Sequence, residues 1–494
     1  MNNFSEPRKQ ELIGVVVIFL DNVRKIIRAF FALIALAFLQ EGIGPYMKFG
    51  AIAIVLFVGV TSWLQYQRFR FHIQGGELIL QKGVFVKENL TIPLERIQTV
   101  NLQQNLIQQI LGITGVKIDT AGSGKEELVI KALKKTDATE LQSSLKSMKK
   151  PTNSSEALEI TDPLVSNQKE KVLVELNFTK LLIVGATENH LKSGLIAFAI
   201  IWGYATQFSD VIGSEYLNSL ESEVESNLVR AGWLALVLLV LAFAVASVLT
   251  SFGRVILRHF QLKAILSDEA FQVKAGLLKR NEHTIPLNKI QILQWEDNFL
   301  RRKVGFESLR IFQGRSEENP NSKRTIEVPA CFKGQYERVM STLYPALDEN
   351  QLEIFKPDVH HRRILTILFG FIFALLAGLL SATNPFLAIA PFVAFVISFF
   401  WIKKYVKYLS IGKSDDFVVI EKGVLSRKKI IVENHRIQGV EFEQSIFMKR
   451  RGLAHIKIYT AAGTRIVRYL PMENIFQLYN ELLFRIENST KPWM

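Results

Sequence analysis

Residues 78–98, LILQKGVFVKENLTIPLERIQ, occur three times in this chain in altered form. The second copy is FQVKAGLLKRNEHTIPLNKIQ at residues 271–291, and the third is VVIEKGVLSRKKIIVENHRIQ at residues 418–438. The copies align without gaps from an early glycine to a final Ile-Gln pair. They lie roughly 150 to 190 residues apart, far beyond the period of stacked repeat proteins, so each copy indicates a separate domain.

The local pattern within each copy predicts two strands joined at a glycine. Glycine accepts backbone angles that other residues avoid, so Gly83, Gly276 and Gly423 predict a turn or bulge. In the first two copies a proline follows, and the spacing of apolar residues slips by one before the Ile-Gln pair. A proline with such a slip predicts an edge strand that carries a bulge or a bend.

A short helix is expected after each Ile-Gln pair, because good N-cap residues are followed by glycines that can end a helix. The N-cap positions are Asn105, Asn298 and Ser445, and the glycines are Gly112, Gly305 and Gly452. Further strands and a final amphipathic helix complete the pattern. The final helices are predicted at residues 138–148, 335–344 and 473–486.

The chain also contains six apolar segments that are long enough to approach a membrane span. They form three pairs, and each pair directly precedes one copy of the repeat: Ile26–Leu39 with Phe49–Trp63, Ser193–Phe208 with Gly232–Phe252, and Ile364–Leu380 with Pro385–Ile402. With 49% hydrophobic residues and 35 phenylalanines in 494, the composition favours a membrane protein with large water-soluble parts.

Loop charges predict the orientation of these spans. Loop 209–227 holds five acidic residues and no Lys or Arg, whereas basic residues crowd the ends of the spans that face the repeats. Basic loops stay in the cytoplasm, so both termini and all three repeat domains are expected there. This topology explains the net charge of +14 without nucleic acid.

Residues 11–21, ELIGVVVIFLD, are too short to span a membrane by themselves. They predict either an interfacial helix or the first turns of the first span. No cleavable signal peptide is evident at the start of the sequence. The polar stretch 151–170 is expected to be a flexible linker.

Paired spans followed by a strand, a glycine turn, Arg/Lys-Ile-Gln, a short helix and a final helix resemble the bacterial pleckstrin-homology-like (PH-like) domain family. The resemblance implies a mixed membrane α plus β fold: six transmembrane helices in three hairpins, each followed by a cytoplasmic PH-like antiparallel β-barrel with a C-terminal helix. It also implies a multi-pass protein of the bacterial plasma membrane. A smaller membrane protein with a single PH-like module is the partner that it implies.

The expected organisation combines the repeats, the spans and this resemblance. The first hairpin occupies residues 1–66, module 1 residues 67–150, and a linker with an amphipathic segment residues 151–190. The second hairpin is placed at 191–253 and module 2 at 254–350. The third hairpin follows at 360–403 and module 3 at 404–490.

No catalytic, cofactor or metal site is expected from the sequence. Cys331 is the only cysteine, which excludes an intrachain disulfide and favours a buried small side chain over a nucleophile. His360 and His361 have no acidic or Cys partner at ligand spacing, which favours interfacial residues over metal ligands. Residues 121–127, AGSGKEE, lack the full phosphate-loop pattern and predict a hairpin turn.

Two sets of polar residues are candidate contacts for lipid or a partner. The first set flanks the repeated isoleucine and could equally satisfy backbone groups at the bend: Arg96, Gln98, Lys289, Gln291, Arg436 and Gln438. The second set lies on the short helix of the last two copies and could equally be a solvated face: Arg301, Arg302, Lys303, Lys449, Arg450 and Arg451. Near anionic lipid each such cation contributes about 1 kcal/mol.

These observations favour a non-enzymatic integral membrane protein whose modules bind protein partners or anionic lipid, as a complex subunit or scaffold. The alternative is an exporter or lipid-handling transporter built on six spans. Against it, the span interiors hold almost no ionisable residues, which transport paths usually need. A membrane enzyme is a third possibility, disfavoured by the missing catalytic groups.

Overall fold

A computed structural model describes residues 4–39, 44–84, 86–120, 128–147, 171–190, 192–200, 203, 233–267, 270–314, 325–382 and 384–489. The predicted linker 151–170, the acidic loop 209–227 and the turn 121–127 lie outside these residues. The chain divides into two compact units. Unit 1 is Met1–Gln168, Glu175–Lys263 and Gln272–Thr284, and unit 2 is Lys169–Val174, Ala264–Phe271 and Ile285–Met494.

The elements alternate between helices and antiparallel strands. The helices are α1 (Gly14–Leu39), α2 (Gly44–Arg68), α3 (Leu106–Ile110), α4 (Lys135–Ser147), α5 (Phe178–Ala186), α6 (Trp233–His259), α7 (Phe299–Val304), α8 (Lys333–Leu343), α9 (Val359–Ser381), α10 (Ile389–Tyr408), α11 (Ile446–Lys449) and α12 (Met472–Glu487). Residues 192–200 are also helical.

The strands fall into the three repeats and two short connecting segments. They are β1 (Arg70–Gln74), β2 (Glu77–Lys82), β3 (Glu88–Pro93), β4 (Ile97–Gln104), β5 (Ile113–Thr120), β6 (Leu128–Lys134), β7 (Lys171–Glu175), β8 (Lys263–Leu266), β9 (Ala270–Ala275), β10 (Arg280–Pro286), β11 (Ile290–Glu296), β12 (Phe306–Gln313), β13 (Thr325–Phe332), β14 (Glu353–Phe355), β15 (Ser410–Lys413), β16 (Phe417–Lys422), β17 (Lys428–Glu433), β18 (Ile437–Glu443), β19 (Leu453–Thr460) and β20 (Arg465–Pro471).

Three helical segments of the described chain are long and apolar enough to cross a membrane: Val240–His259, Val359–Ser381 and Pro385–Tyr408. With the antiparallel sheets they make this a membrane α plus β protein. The other three spans stay predictions, and part of the third of the six segments lies outside the described residues. Residues 14–39 form one continuous helix, so most of the apolar stretch 11–21 belongs to α1.

The repeated glycines adopt the expected left-handed backbone. Gly83, Gly276 and Gly423 have φ of +101°, +118° and +105°. A Cβ atom added to Gly423 would fall on the carbonyl oxygen of Ser426, and the other two glycines meet the same obstacle. The turn therefore requires glycine both for its φ angle and for the close approach of the backbone.

The expected bend is a 3₁₀ turn followed by a β-bulge. The turns occupy Leu94–Arg96, Leu287–Lys289 and Asn434–Arg436. The strand register then shifts at the same place in each copy: between Ile97 and Thr99, Ile290 and Ile292, and Ile437 and Gly439. The extra residue of each bulge is the glutamine of the Ile-Gln pair, so the bulge that the phase slip predicts is confirmed.

The predicted short helices and their ends are confirmed. The side chains of Asn105 and Asn298 accept hydrogen bonds of 2.8 Å from backbone amides three residues later. Ser445 accepts one of 3.3 Å in the third copy. Gly112, Gly305 and Gly452 follow in the left-handed region with φ between +63° and +85°.

The sheets are not closed into three separate barrels. In module 1, β1, β2 and β3 form one sheet, and β4, β5 and β6 belong to another. The 3₁₀ turn before β4 redirects the chain, so β3 and β4 do not pair with each other. In module 3 the strands β18, β19 and β20 likewise form their own sheet.

The first junction between modules lies within unit 1 and joins β4 to β10. Gln104 pairs with Arg280, and Gln103 with Asn281. The prediction of an edge strand is therefore right for β3 but wrong for β10. Pro286 lies beyond the paired residues, so its missing N–H removes no bond from this junction.

The second junction lies within unit 2 and repeats the first. Strand β11 pairs with β17 over four residues, from Leu293 with Ile431 to Glu296 with Lys428. Glu296 and Lys428 occupy the positions of Gln103 and Asn281, so the register is the same in both junctions. The Lys428 amine lies 3.6 Å from a Glu296 carboxylate oxygen.

At both junctions, the same position of the preceding module's short helix donates a hydrogen bond to the backbone of the next module. Gln109 donates from its side-chain amide to the carbonyls of Leu277 and Leu278, at 3.2 and 3.1 Å. Arg302, its equivalent in module 2, donates to the carbonyl of Val424 at 3.0 Å. Val424 corresponds to Leu277, because both directly follow the turn glycine.

Backbone hydrogen bonds fix two helices to their modules. The amide of Asp358, just before α9, donates to the carbonyl of Tyr469 at 2.8 Å. The amide of Glu11, just before α1, donates to the carbonyl of Ala132 at 3.0 Å. Tyr469 holds an unusual φ of +59°, which turns its carbonyl out of the regular ladder.

Each unit has its own apolar core beneath these sheets. In module 1 the final helix α4 closes the core with Leu141 and Leu145, as predicted. In module 3 Ile475, Leu478 and Leu482 of α12 do the same. The cores of modules 1 and 3 are therefore closed on one side by the final helix of each module.

Replacing Gly423 with Ala should lower the free energy of unfolding by about 1–3 kcal/mol, because the turn needs a positive φ and has no room for Cβ. Thermal unfolding of the purified full-length protein measures the change. Gly334→Ala is the matched control, since its Cβ would meet nothing within 4 Å. Equal unfolding midpoints for the two variants would contradict the strained-turn argument.

Candidate functional site

A cavity of about 790 Å³ in unit 2 lies between the helices α9 and α10 and the sheet of module 3. Its apolar wall includes Leu365, Phe369, Trp401 and Tyr405 from the two helices. Its polar wall consists of cations from four strands: Arg310, Lys422, Lys428, Arg465 and Arg468. No Asp or Glu is among the described residues that line it.

The five cations differ in how far neighbouring carboxylates neutralise them. Arg310 lies 2.8 Å from Glu296 and 3.2 Å from Glu327, and Lys428 also approaches Glu296. Neither Lys422 nor Arg468 has a carboxylate within ion-pair distance among the described residues. The positive field inside the cavity therefore comes mainly from the β16 and β20 side.

Lys422 shows the effect of this field directly. Burial lowers the pKa of the Lys422 amine below its usual value, and the nearby Arg465, Lys428 and Arg468 lower it further. Like charges disfavour the protonated amine, whereas a bound anion would favour it. The site is thus arranged to gain from a negative ligand.

Aromatic rings surround His361, which lines the cavity near the start of α9. His361 is buried, with its ring 4.9 Å from that of Tyr469 and 6.1 Å from that of Tyr405. Trp and Tyr favour the boundary between lipid and water. An amphipathic molecule with an anionic head and apolar tails matches a cavity with a cationic strand wall and an apolar helix wall.

Module 1 has a cavity of about 750 Å³ in the corresponding place. Lys82 occupies the position of Lys422, directly before the turn glycine, and Lys131 lies on β6 where Arg468 lies on β20. Here Asp21 neutralises part of the charge, because its carboxylate lies 2.6 Å from the Lys131 amine. Module 2 has Ala275 before its glycine, so the lysine does not recur there.

The residues singled out on the short helices take different positions. Arg301 is buried and donates to the hydroxyl of Ser308. Arg302 forms a 2.7 Å ion pair with Asp297 and supports the second junction. The amine of Lys303 lies 4.7 Å from the centre of the Phe299 ring, and the side chain is exposed.

The basic triplet of the third short helix is shifted by one position relative to that of the second, although the two helices begin at equivalent residues. Lys449 is equivalent to Arg302, and Arg450 to Lys303, while Met448 takes the buried position of Arg301. Lys449, Arg450 and Arg451 are all exposed. The two basic clusters are therefore not the same surface, and lipid binding by either stays a prediction.

The residues around the repeated isoleucine do not form one surface either. Gln291 is 1% exposed, and Arg436 is buried with its Nε 3.4 Å from Glu433. Arg96 and Gln438 are exposed, and Lys289 is half-buried. The side chain of Gln98 lies outside the description. A shared lipid or partner role for this set also stays a prediction.

Sequence reasoning did not find the cavity. Arg465 and Arg468 are separated by two apolar residues, so in a regular strand they would point to opposite faces and would not indicate one site. The lysine before the turn glycine in copies one and three was the available signal, because it recurs where the glycine alone would suffice. Cys331 is buried as predicted, and the described residues contain no cluster of His, Cys, Asp or Glu suited to a metal ion.

Comparison with known proteins agrees with this architecture. The family profile described as bacterial PH domain matches residues 24–149, 216–346 and 364–485. The UPF0699 transmembrane protein YdbT of Bacillus subtilis (strain 168) is 24% identical over 465 residues, which cover 90% of this chain and 91% of that protein. The profile accounts for most of the chain in three regions, so this protein belongs to the bacterial PH domain family.

Proposed function

We propose that this protein is a non-enzymatic membrane scaffold whose cytoplasmic PH modules bind anionic lipid headgroups and protein partners. The observation that carries the lipid half is the cavity of module 3, where cations converge without a lining carboxylate beside the apolar ends of α9 and α10. Six spans in three hairpins would keep all three modules at the inner surface of the plasma membrane, where anionic lipids are concentrated.

Several features support a binding role over chemistry. The convergent groups are Lys and Arg rather than an acid–base pair or an activated nucleophile, and the only cysteine is buried. Convergent Lys and Arg side chains in a cavity that no Asp or Glu lines among the described residues suit recognition of a phosphate-containing headgroup. Recurrence of the cavity in modules 1 and 3 suits a scaffold that contacts lipid at more than one place.

Removing the cavity charges should weaken lipid binding. We expect the triple variant Lys422→Gln, Arg465→Gln, Arg468→Gln to bind short-chain phosphatidylglycerol about 100-fold more weakly, at about 1 kcal/mol per cation. Calorimetric titration of the full-length protein in neutral detergent measures this, with short-chain phosphatidylcholine as the neutral probe.

The control variant removes an equal charge elsewhere. Lys449→Gln, Arg450→Gln, Arg451→Gln changes three exposed cations of module 3 that do not line the cavity. It should retain affinity within about threefold, since screened surface charges contribute little at a distance. Loss of binding in this variant with retention in the cavity variant would overturn the site and support the helix cluster instead.

Lys422→Met should stabilise the protein when no anion is bound. The lowered pKa means that burying the charged amine costs stability at pH 7, and this cost is relieved as pH rises toward the ordinary value of 10.5. We expect a melting temperature a few degrees above wild type at pH 7, with a smaller difference above pH 10. Lys428→Met, which loses the ion pair to Glu296, should not be stabilised.

The membrane topology is testable by labelling with a thiol reagent that cannot cross membranes. In a Cys331→Ser background, Ala382→Cys in the third hairpin loop should react in intact protoplasts. Arg450→Cys, in the short helix of module 3, should react only after the membrane is permeabilised. The opposite pattern would place the modules outside.

A further inference from the structure

Strands β4, β11 and β18 are equivalent in the three modules, and among the described residues only β18 has an unpaired outer edge. Its equivalents β4 and β11 are each paired on both sides, whereas β18 pairs only with β19. Trp295 on β11 is 1% exposed, but Phe442 in the same position on β18 is only half-buried. Unpaired backbone groups of this kind bind an added strand.

Both internal junctions show what occupies this edge. In each, the strand that follows the turn glycine of the next module pairs in one register. In each, the fourth residue of the short helix, Gln109 or Arg302, donates to the carbonyl of the residue directly after that glycine. Lys449 holds this position beside β18 and is exposed.

The charges of the edge point to the kind of strand that fits. Glu443 corresponds to Glu296, whose carboxylate meets Lys428 and accepts a 3.1 Å hydrogen bond from Ser426 in the second junction. Glu441 and Glu443 are both exposed, and Glu443 pairs with Lys457 as Glu296 pairs with the equivalent Arg310, a pair that coexists with Lys428 in the second junction. An incoming strand with Lys or Arg five residues after its turn glycine would face Glu443 as Lys428 faces Glu296.

A second copy of this chain does not supply that charge. Its β3 also has an edge that no described strand pairs with, but the residue five places after Gly83 is Glu88. Pairing in the observed register would set Glu88 opposite Glu443, and like charges directly opposite each other destabilise a sheet. This repulsion disfavours head-to-tail chains of the protein, which would otherwise extend without closing.

We propose that β18 pairs with the corresponding strand of a PH module on a different protein, with a basic residue opposite Glu443 and with Lys449 bound to the carbonyl after that module's turn glycine. This inference rests on the proposed scaffold role. It specifies which surface of this protein binds the partner and which residue type the partner must present there. The pairing extends the sheet β18-β19-β20 as the internal junctions extend theirs.

Photo-cross-linking in the native host tests this on the full-length protein. The photoreactive residue p-benzoylphenylalanine replaces Glu441, which is exposed on the same strand and leaves Glu443 in place, and mass spectrometry identifies the peptides joined to it. We expect peptides from the strand after a turn glycine in a PH module of another protein, with Lys or Arg at the fifth place. The same residue in place of Glu296 is the positive control and should reach residues 426–430 of its own chain.

Two other outcomes overturn the proposal. Cross-links to residues 83–93 of a second copy would make the edge a self-association site. If position 441 yields no such peptide while the control reacts, the edge is unoccupied and its glutamates serve only to block pairing. If a partner nevertheless co-purifies in that case, the scaffold role stands and only the proposed contact surface is wrong. The lipid titration tests the lipid-binding proposal independently of these outcomes.

Two substitutions test the register and the chemistry. Lys449→Glu should reduce the yield of the partner cross-link about tenfold, while the neighbouring Arg450→Glu should not, because its equivalent Lys303 has no bond to the junction. Glu88→Lys should create cross-links from position 441 to residues 83–93 between copies, because Glu443 stays in place and would then attract a cation. Equal effects of Lys449→Glu and Arg450→Glu, or no new cross-links with Glu88→Lys, would contradict the proposed register.

Discussion

Backbone pairing across the module junctions is the constraint on which the rest of this structure depends. A strand edge leaves N–H and C=O groups that must find partners, and here the third strand of one module satisfies the fourth strand of the module before it. The register is identical in both junctions although their side chains differ: amides meet in the first, and Glu296 meets Lys428 in the second. The pairing register thus comes from the repeated glycine turn and bulge, and the side chains only adjust the stability of the pairing.

In the cavity of module 3, charges that would bind an anion are not the arrangement that is most stable for the fold alone. Glu296 neutralises Arg310 and Lys428 on the junction side, and that side gains ion pairs. On the other side Lys422 faces further cations, and its pKa falls as a result. Module 1 resolves the same conflict by placing Asp21 beside Lys131. A cationic site without a bound anion lowers the stability of the fold locally, and the packing of the surrounding sheet must offset this.

Much of the fold could be predicted from sequence because the relevant signals are local. Turn glycines, N-cap residues and the phase slip at the Ile-Gln pair act within a few residues, and three copies made them visible. The junctions escaped prediction because Gln109 and Arg302 bind backbone carbonyls, which carry no sequence signature. The edge-strand prediction for β10 failed for the same reason: its proline is compatible with pairing that stops before it. The cavity was missed because Arg465 and Arg468 gain their meaning only from helices far away in the chain.

The order of strands in the junctions has a consequence for synthesis on the ribosome. The outer edge of β4 ends at Gln104, but its partner begins at Arg280, roughly 180 residues later, which takes about 10 to 35 s at usual elongation rates. Between the two lies the second predicted pair of spans, of which Val240–His259 is long and apolar enough to cross a membrane. Module 1 therefore waits with an open strand edge while translation continues, and insertion of the predicted pair as a hairpin would bring β10 to the side of the bilayer where β4 waits.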